Sequence, residues 1–258
     1  MREVAAHTVF MLARQLRNLA RQPIWIFIML VQPMFWLLLY SQLFRKVVQL
    51  PGFPSGSYVQ FLTPGIVVMT AFFSATWSGM AMIDDLDREV IQRFLATPVS
   101  RSALVLSQVI RSALTAALQG LIILVIGLAL GARVHGGPLG WLAILAAAAL
   151  VAAAFSGISN GIALLTRREE TMIAVANFFA LPLTFLSSIL IAQTLMPHWM
   201  RVLSRFNPVN WAVAAARQPV LPSTDWASTA AHLGYLLAFS AATAAFATWC
   251  FRSYQRTL

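Results

Sequence analysis

Apolar residues fall into six long runs separated by short polar segments. The runs cover residues 24–44, 59–83, 104–131, 140–165, 172–195 and 230–251. At a rise of about 1.5 Å per residue, each run is long enough to cross a hydrocarbon core of about 30 Å. Helices satisfy their own backbone hydrogen bonds inside a bilayer. The pattern therefore predicts an all-α integral membrane protein with six transmembrane helices.

The first 22 residues have a different pattern. Five apolar residues recur at helical spacing on one face, and Arg14, Arg17 and Arg21 recur on another, before Pro23. This arrangement is typical of an amphipathic helix that lies in the membrane interface. Two roles remain open for it: an anchor on anionic lipid, or a helix that also contacts a cytoplasmic partner.

A charged segment follows the second apolar run and predicts a short helix over residues 84–97. Acidic residues crowd its start, an apolar stripe follows, and Pro98 ends it. Acidic side chains at a helix start interact favourably with the helix dipole. Such a helix either docks on a partner or is simply a solvated loop helix.

Composition supports the membrane assignment. The chain is 59% hydrophobic and 10% charged, whereas soluble domains carry about 25% charged residues. Six spans and their connections use nearly all of the 258 residues, which predicts one transmembrane domain over 1–258 with a bundle at 24–251 and a tail at 252–258. Chemistry that needs a soluble catalytic domain must then come from another chain.

Arginine and lysine placement predicts the orientation. With a cytoplasmic N-terminus, twelve of these residues fall inside and six outside, which is the bias expected of cytoplasmic loops. Both termini are therefore predicted to be cytoplasmic in a multi-pass protein of the cell membrane, with a bacterial inner membrane as the expected location. The net charge of +10 is read as this topology signal and not as a nucleic-acid-binding surface.

The interior of the spans lacks carboxylates and lysines, which gradient-driven pumps generally need in the membrane. This argues for an energy source outside the spans. A phosphate-binding loop needs a lysine after glycine, yet the single lysine, Lys46, follows Arg45. The chain is therefore not predicted to hydrolyse ATP itself.

Four segments in order resemble the type-2 ATP-binding-cassette transporter permeases of the drug-resistance and lipid-export kind. FLATPVSR at 94–101 resembles their cytoplasmic loop, and residues 1–22 resemble their connecting helix. LPLTFLSS at 181–188 resembles their fifth span, and the stretch from PHW at 197–199 to FNPVNW at 206–211 resembles their extracellular segment. Together these segments extend over nearly the whole chain.

The resemblance implies a subunit that pairs with a second permease subunit, identical or related, and with two cytoplasmic ATP-binding-cassette ATPase subunits. It implies no cofactor on this chain, with ATP and Mg on the ATPase. It also implies that 84–97 is the coupling helix, near Arg14, Arg17 and Arg21 of the connecting helix. The implied coupling residues are Asp84, Asp85, Asp87, Arg88, Glu89, Arg93, Phe94, Leu95, Thr97 and Pro98.

One departure from the family concerns this loop. Members often carry glycine in its middle, where this chain has Glu89 and Val90, so the local helix is expected to run longer. At the other side of the membrane, the resemblance implies a short extracellular helical segment before the last span. Its marked residues are Asn207, Pro208 and Trp211.

The substrate path is predicted from aromatic residues in the spans. An apolar cavity between subunits would suit amphiphilic molecules. Each candidate residue is equally compatible with a position that faces lipid or lies in the core. The candidates are Phe35, Trp36, Phe72, Phe73, Trp77, Asn177 and Phe178.

The primary function predicted is the membrane subunit of an exporter of a drug, antibiotic or lipid-like molecule that works by alternating access. A permease for a polysaccharide or lipid-linked glycan is an alternative, and a gradient-driven carrier is another. A hydrolase is a third, because Gly157, Ser159 and Gly161 match a serine-nucleophile pattern. The same glycines also match the G-x-x-x-G spacing of close helix packing, and packing is favoured.

Overall fold

The structure is a computed structural model that describes residues 23–50, 53, 56–87 and 101–255. All regular structure in these ranges is helical, and short 3-10 turns lie at Arg45–Gln49, Gln193–Leu195 and Gln218–Val220. The α-helices are α1 Pro23–Leu43, α2 Tyr58–Thr76, α3 Ser78–Asp87, α4 Arg101–Ala129, α5 Gly137–Thr166, α6 Glu169–Phe185, α7 His198–Ser204, α8 Pro208–Arg217 and α9 Trp226–Gln255.

Four helical stretches of the described residues are long and apolar enough to cross a membrane. They are Tyr58–Asp87, Leu104–Ala129, Gly137–Thr166 and Trp226–Ser253, and they match the second, third, fourth and sixth predicted spans. The first predicted span coincides with α1, whose 21 residues extend about 31 Å. The count of six spans stays a prediction.

The fifth predicted span differs from the structure. Helix α6 ends at Phe185 after 17 residues, a length of about 26 Å, and residues 186–192 leave the helix before the turn at Gln193–Leu195. The helix expected over 172–195 is thus wrong in its second half. Side chains from α8 supply the physical reason, as described below.

Helix α5 lies at the centre of the described bundle and packs on α9, α4, α2, α8, α3 and α6. Its small residues allow close approach. A Cβ atom on Gly157 would come within 2.9 Å of the Thr243 backbone, and one on Gly161 within 2.5 Å of the Phe246 ring. The G-x-x-x-G pair is therefore the contact between α5 and α9, as such pairs are in membranes.

The ends of several helices gather in what we call the charged end. There the C-termini of α3, α5 and α9 meet the N-termini of α4 and α6 around a separate hydrophobic cluster that includes Met82, Val105, Leu164, Met172 and Phe251. The main core extends from there to the opposite end, where it includes Tyr58, Phe61 and Val209. The predicted helix at 1–22 and residues 88–97 lie outside the described residues.

Candidate functional site

The charged end carries three of the predicted coupling residues. Asp84, Asp85 and Asp87 lie in the later turns of α3, which begins at Ser78. They are therefore not at a helix start, and the dipole argument for a helix beginning at 84 does not apply. Helix α2 and α3 form one 30-residue apolar stretch, so the coupling segment continues directly from the second span.

The three aspartates have different environments. Asp84 and Asp87 are exposed, whereas Asp85 is half-buried. The Oδ2 atom of Asp85 accepts a hydrogen bond from Nε2 of Gln108 at 3.3 Å, and Oε1 of Gln108 accepts one from Nε of Arg111 at 3.1 Å. This chain of contacts ties α3 to α4, so Asp85 faces its own bundle and Asp87 is the better candidate for contact with a partner.

The other predicted coupling residues cannot be placed. Arg14, Arg17 and Arg21 of the connecting helix also lie outside the described residues. Their roles stay predictions from the sequence. The remaining coupling candidates outside the described ranges are Arg88, Glu89, Arg93, Phe94, Leu95, Thr97 and Pro98.

A set of hydroxyl groups from α5, which we call the serine contact, holds the junction between α2 and α3 at Trp77. The Oγ atom of Ser159 donates to the carbonyl of Thr76 at 2.6 Å and accepts from the backbone N–H of Gly79 at 2.9 Å. Ser78 donates to Ser156 at 3.0 Å. These bonds satisfy backbone groups that the interrupted helix leaves open, as membrane interiors require.

Gly79 is needed for this contact. A Cβ atom at that position would come within 2.6 Å of the Ser159 carbonyl oxygen and 2.7 Å of its Oγ atom. The glycine therefore lets the two helices meet backbone to backbone. The Ser159 hydroxyl is engaged as donor and acceptor inside a helix–helix contact. The structure therefore does not support the hypothesis that Ser159 is a nucleophile, and it supports the favoured interpretation of the motif as a packing motif.

Two cavities lie among the aromatic candidates for a substrate path. The larger, of about 340 Å³, is lined by Phe72 together with residues of α5, α6, α8 and α9. The smaller, of about 180 Å³, is lined by Phe73 and Trp77 together with residues of α1, α2 and α4. The structure therefore places Phe72 on one cavity and Phe73 and Trp77 on the other, although all three belong to the second predicted span.

The remaining path candidates lie elsewhere. Trp36 is half-buried beside Tyr40, with ring centroids 4.6 Å apart. Phe35 on α1 and Phe178 on α6 are 64% and 71% exposed, and Asn177 is exposed next to Phe178. The seven candidates thus do not form one site within a single chain; the exposed ones point out of the described bundle.

The marked residues of the predicted extracellular segment surround α8. Asn207 caps this helix, because its Oδ1 atom accepts from the N–H of Val209 at 2.9 Å, and Pro208 occupies the first turn. The Nδ2 atom of Asn207 donates to the carbonyls of Leu183 at 2.7 Å and Leu186 at 3.2 Å. Asn207 thereby supplies a donor to carbonyl groups that have no helical partner because α6 ends there.

Neighbouring side chains complete this arrangement. Oδ1 of Asn210 accepts from both the backbone N–H and the hydroxyl of Ser188, at 3.0 and 2.8 Å. The hydroxyl of Tyr58 on α2 donates to the carbonyl of Leu190 at 3.0 Å, and the indole N–H of Trp211 donates to the carbonyl of Arg205 at 2.6 Å. The backbone after α6 is therefore satisfied by side chains from other helices.

Arg217, at the C-terminal end of α8, is a residue that the sequence analysis does not single out. Its Nη2 atom donates to the carbonyl of Ser188 at 2.6 Å and lies 3.4 Å from that of Ile189, and its guanidinium sits 3.7 Å from the Phe61 ring centroid. We call this set the arginine contact. The signal that could have found it is a lone cation at the end of an otherwise apolar helix that starts with Asn-Pro.

Burial affects the chemistry of this cation. It lowers the pKa of the Arg217 guanidinium from its ordinary value, since removal from water disfavours the charged form, and Tyr58 acts in the opposite direction. Carbonyl oxygens and an aromatic face are neutral partners that stabilise a guanidinium without a carboxylate. The arginine contact can therefore hold residues 186–192 against α2 and α8.

Comparison with known proteins identifies one family over most of the chain. Residues 6–221 match the family model described as ABC-2 type transporter. The transport permease ycf38 of Cyanophora paradoxa is 29% identical over 81% of this chain and 72% of its own length. The daunorubicin resistance ABC transporter permease protein DrrB1 of Streptomyces coeruleorubidus is 24% identical over 76% of this chain and 68% of its own length.

A third relative is the inner membrane transport permease YadH of Escherichia coli strain K12, 25% identical over 76% of this chain and 77% of its own length. All three names describe permeases, and permease subunits of this kind are not enzymes themselves but work with an ABC ATPase. The family match covers most of the chain and agrees with its apolar, all-helical described part. This chain therefore belongs to the ABC-2 type transporter family.

Proposed function

We propose that this chain is the membrane-spanning subunit of an ABC exporter that moves a hydrophobic or amphiphilic molecule out of the cytoplasm or the inner leaflet. The cargo class is a drug, an antibiotic or a lipid-like molecule. Similarity to a permease named for daunorubicin resistance supports this class, and so does the smaller cavity, which is walled by Phe73 and Trp77. Transport proceeds by alternating access.

The observation that carries the proposal is the continuity of the second span with the coupling segment. The stretch Tyr58–Asp87 is a single apolar unit that ends at the exposed Asp87 and carries Phe72 and Phe73 on the walls of the two cavities. Force applied to the coupling segment would reach both cavities through α3, the junction at Trp77 and α2. An ATPase that binds at 84–97 would move these walls when it closes on nucleotide.

The proposed complex contains two permease subunits, identical or related, and two ATPase subunits that bind ATP and Mg. The exposed candidates Phe35, Asn177 and Phe178 then line the cargo path between the permease subunits. Both termini face the cytoplasm, and the complex sits in the cell membrane, with a bacterial inner membrane proposed. Oligomeric state measured in nanodiscs tests the pairing, and a monomeric active permease would refute it.

Charge reversal tests the coupling role. Asp87→Arg and Arg93→Glu each place the wrong charge on the coupling segment, so we expect loss of ATPase co-purification and of transport-coupled ATP turnover, with membrane insertion intact. Arg133→Glu is the matched control, because Arg133 is exposed in the loop between α4 and α5. Normal assembly and transport in both coupling variants would remove this role from 84–97.

Cysteine labelling tests the topology. A membrane-impermeant thiol reagent should label Gln49→Cys in intact cells, because residue 49 is exposed beyond α1. Gln92→Cys should react only after permeabilisation. The reverse pattern would overturn the predicted orientation while leaving family membership untouched.

A further inference from the structure

The larger cavity is a lateral groove between two helices of one chain. Helices α6 and α9 both pack on α5 but make little contact with each other. Ile158 and Ile162 of α5 form the floor and are half-buried, although α5 is otherwise largely buried. The mouth of the groove therefore lies between α6 and α9.

The walls of the groove are apolar and aromatic. Rings of Phe72, Phe155, Phe179 and Phe239 line it, and Phe72 and Phe155 meet edge to face with centroids 4.5 Å apart. Phe179 is 53% exposed, so its ring borders both the groove and the surroundings of the bundle. The volume of about 340 Å³ is within the range of small-ligand sites.

Two hydroxyl-bearing residues line the groove, but their protons are committed elsewhere. The Thr76 hydroxyl donates to the carbonyl of Phe72 at 2.8 Å, and the Ser159 hydroxyl donates to the carbonyl of Thr76. A sugar or a charged group in this groove would lose its hydration and find no free hydroxyl proton in return, which is unfavourable for any polar group. The occupant that fits is a hydrocarbon.

The shape of the groove selects an elongated hydrocarbon. Its wall on α6 runs from Met172 to Leu183, a rise of about 16 Å along the helix axis. Helix α9, on the other side of the mouth, is a candidate span with large apolar side chains such as Leu237 and Trp249 exposed. The groove therefore runs across the hydrocarbon layer and opens toward it, where the neighbours are lipid chains.

We propose that this groove binds one acyl chain of a bilayer phospholipid, with the head group left outside. The site lies within one chain and is separate from the cargo path proposed between subunits. It does not depend on export, because it requires only that the chain spans a bilayer. Burial of the chain is driven by contact with fixed aromatic walls, since lipid tails are already apolar before they enter.

Photolabelling of the full chain in nanodiscs tests the site. The probe is a phospholipid with a diazirine in the middle of one acyl chain, and adducts are mapped by mass spectrometry. We expect adducts on groove residues Ile158 and Val175 as well as on the exposed Leu237 and Trp249, which report contact with bulk lipid.

Variants that fill the groove provide the decisive comparison. Ala176 is buried and lines the groove, whereas Ala174 on the same helix is exposed and does not. Ala176→Trp should reduce groove adducts several-fold, and Ala174→Trp should leave them unchanged. Ile158→Trp fills the groove from a second helix and should reduce the adduct on Val175 to the same degree, with labelling of Leu237 constant in every variant as the check on folding.

Other occupants give distinct results, each of which overturns the proposal. A photoreactive free fatty acid that labels the groove when the phospholipid does not would assign it to cargo. A Val175→Cys disulfide between two copies, with no lipid adduct, would assign it to the subunit interface. Groove adducts that persist in both filling variants would show that the label reports surface lipid. Loss of ATPase coupling in Asp87→Arg leaves this inference unaffected.

Discussion

The serine contact and the arginine contact solve the same problem with different chemistry. Each lies where a helix is interrupted, at Trp77 and after Phe185, and each supplies partners to backbone groups that have lost helical ones. The serine contact uses neutral hydroxyls of α5, whereas the arginine contact uses a cation at the end of α8. A cation is costly to release from carbonyl partners, so the arginine contact is the fixed point and the serine contact is the adjustable one.

The largest effect should come from removal of the cation. Arg217→Ala leaves the carbonyls of Ser188 and Ile189 without this donor, and we expect a loss of about 1.5 to 3 kcal/mol in the free energy of unfolding, the range for hydrogen bonds to charged groups. Denaturant unfolding in mixed micelles measures it. Arg205→Ala, at an exposed site on the same side, is the control and should change little.

Arg217→Lys sharpens this test. The charge is retained but the planar fork that reaches neighbouring carbonyls is lost, so an intermediate loss of stability is expected. Equal stability of Arg217→Ala and the native chain would mean that residues 186–192 are held by Asn207, Asn210 and Tyr58 without the cation, and the proposed difference between the two contacts would disappear.

A smaller effect should follow from crowding the serine contact. In Gly79→Ala the added methyl group meets the Ser159 backbone and hydroxyl, and overpacking of this kind costs about 1 to 3 kcal/mol. Gly234→Ala is the matched helical control, because nothing lies within 4 Å of a Cβ atom there. Thermal unfolding of the two variants in the same detergent compares them, and an equal melting temperature would exclude close contact at Gly79.

The smallest effect should come from Ser159→Ala. This variant deletes two hydrogen bonds, to Thr76 and Gly79, without adding volume, and a net loss of about 1 to 2 kcal/mol is expected, since each neutral hydrogen bond contributes about 0.5 to 1 kcal/mol. Ser240→Ala removes only a bond to the carbonyl of Leu237 on its own helix and serves as the control. A loss larger than that of Arg217→Ala would reverse the ranking of the two contacts.

Hydropathy predicted most of the architecture because a helix that crosses a bilayer needs an apolar run of matching length. Such a run can be found in the local sequence alone. Hydropathy failed after Phe185, where the run stays apolar while the backbone leaves the helix. The partners that make this possible, Asn207, Asn210 and Arg217, come 20 or more residues later, and no local pattern contains them. The family resemblance located this segment but not the donor that secures it.

The candidate site was predicted unevenly for a related reason. The sequence correctly favoured packing at Gly157 and Gly161, because spacing on a helix is local information. It grouped Asp85 with Asp84 and Asp87, although Gln108 draws Asp85 inward. It also grouped seven aromatic and polar path candidates that the structure distributes over two cavities and exposed faces. Which face of a helix packs against another helix depends on where that other helix lies. The residue types of the first helix alone do not determine this face.

The geometry at Gly79 limits how the second span can transmit motion. A piston-like slide of α2 and α3 together would break both bonds to the Ser159 hydroxyl at once, because one oxygen serves both partners. A tilt about that oxygen changes both distances least. The contact therefore permits rocking of the second span and resists sliding, so a push at the Asp87 end would swing the Phe72 end in the opposite direction.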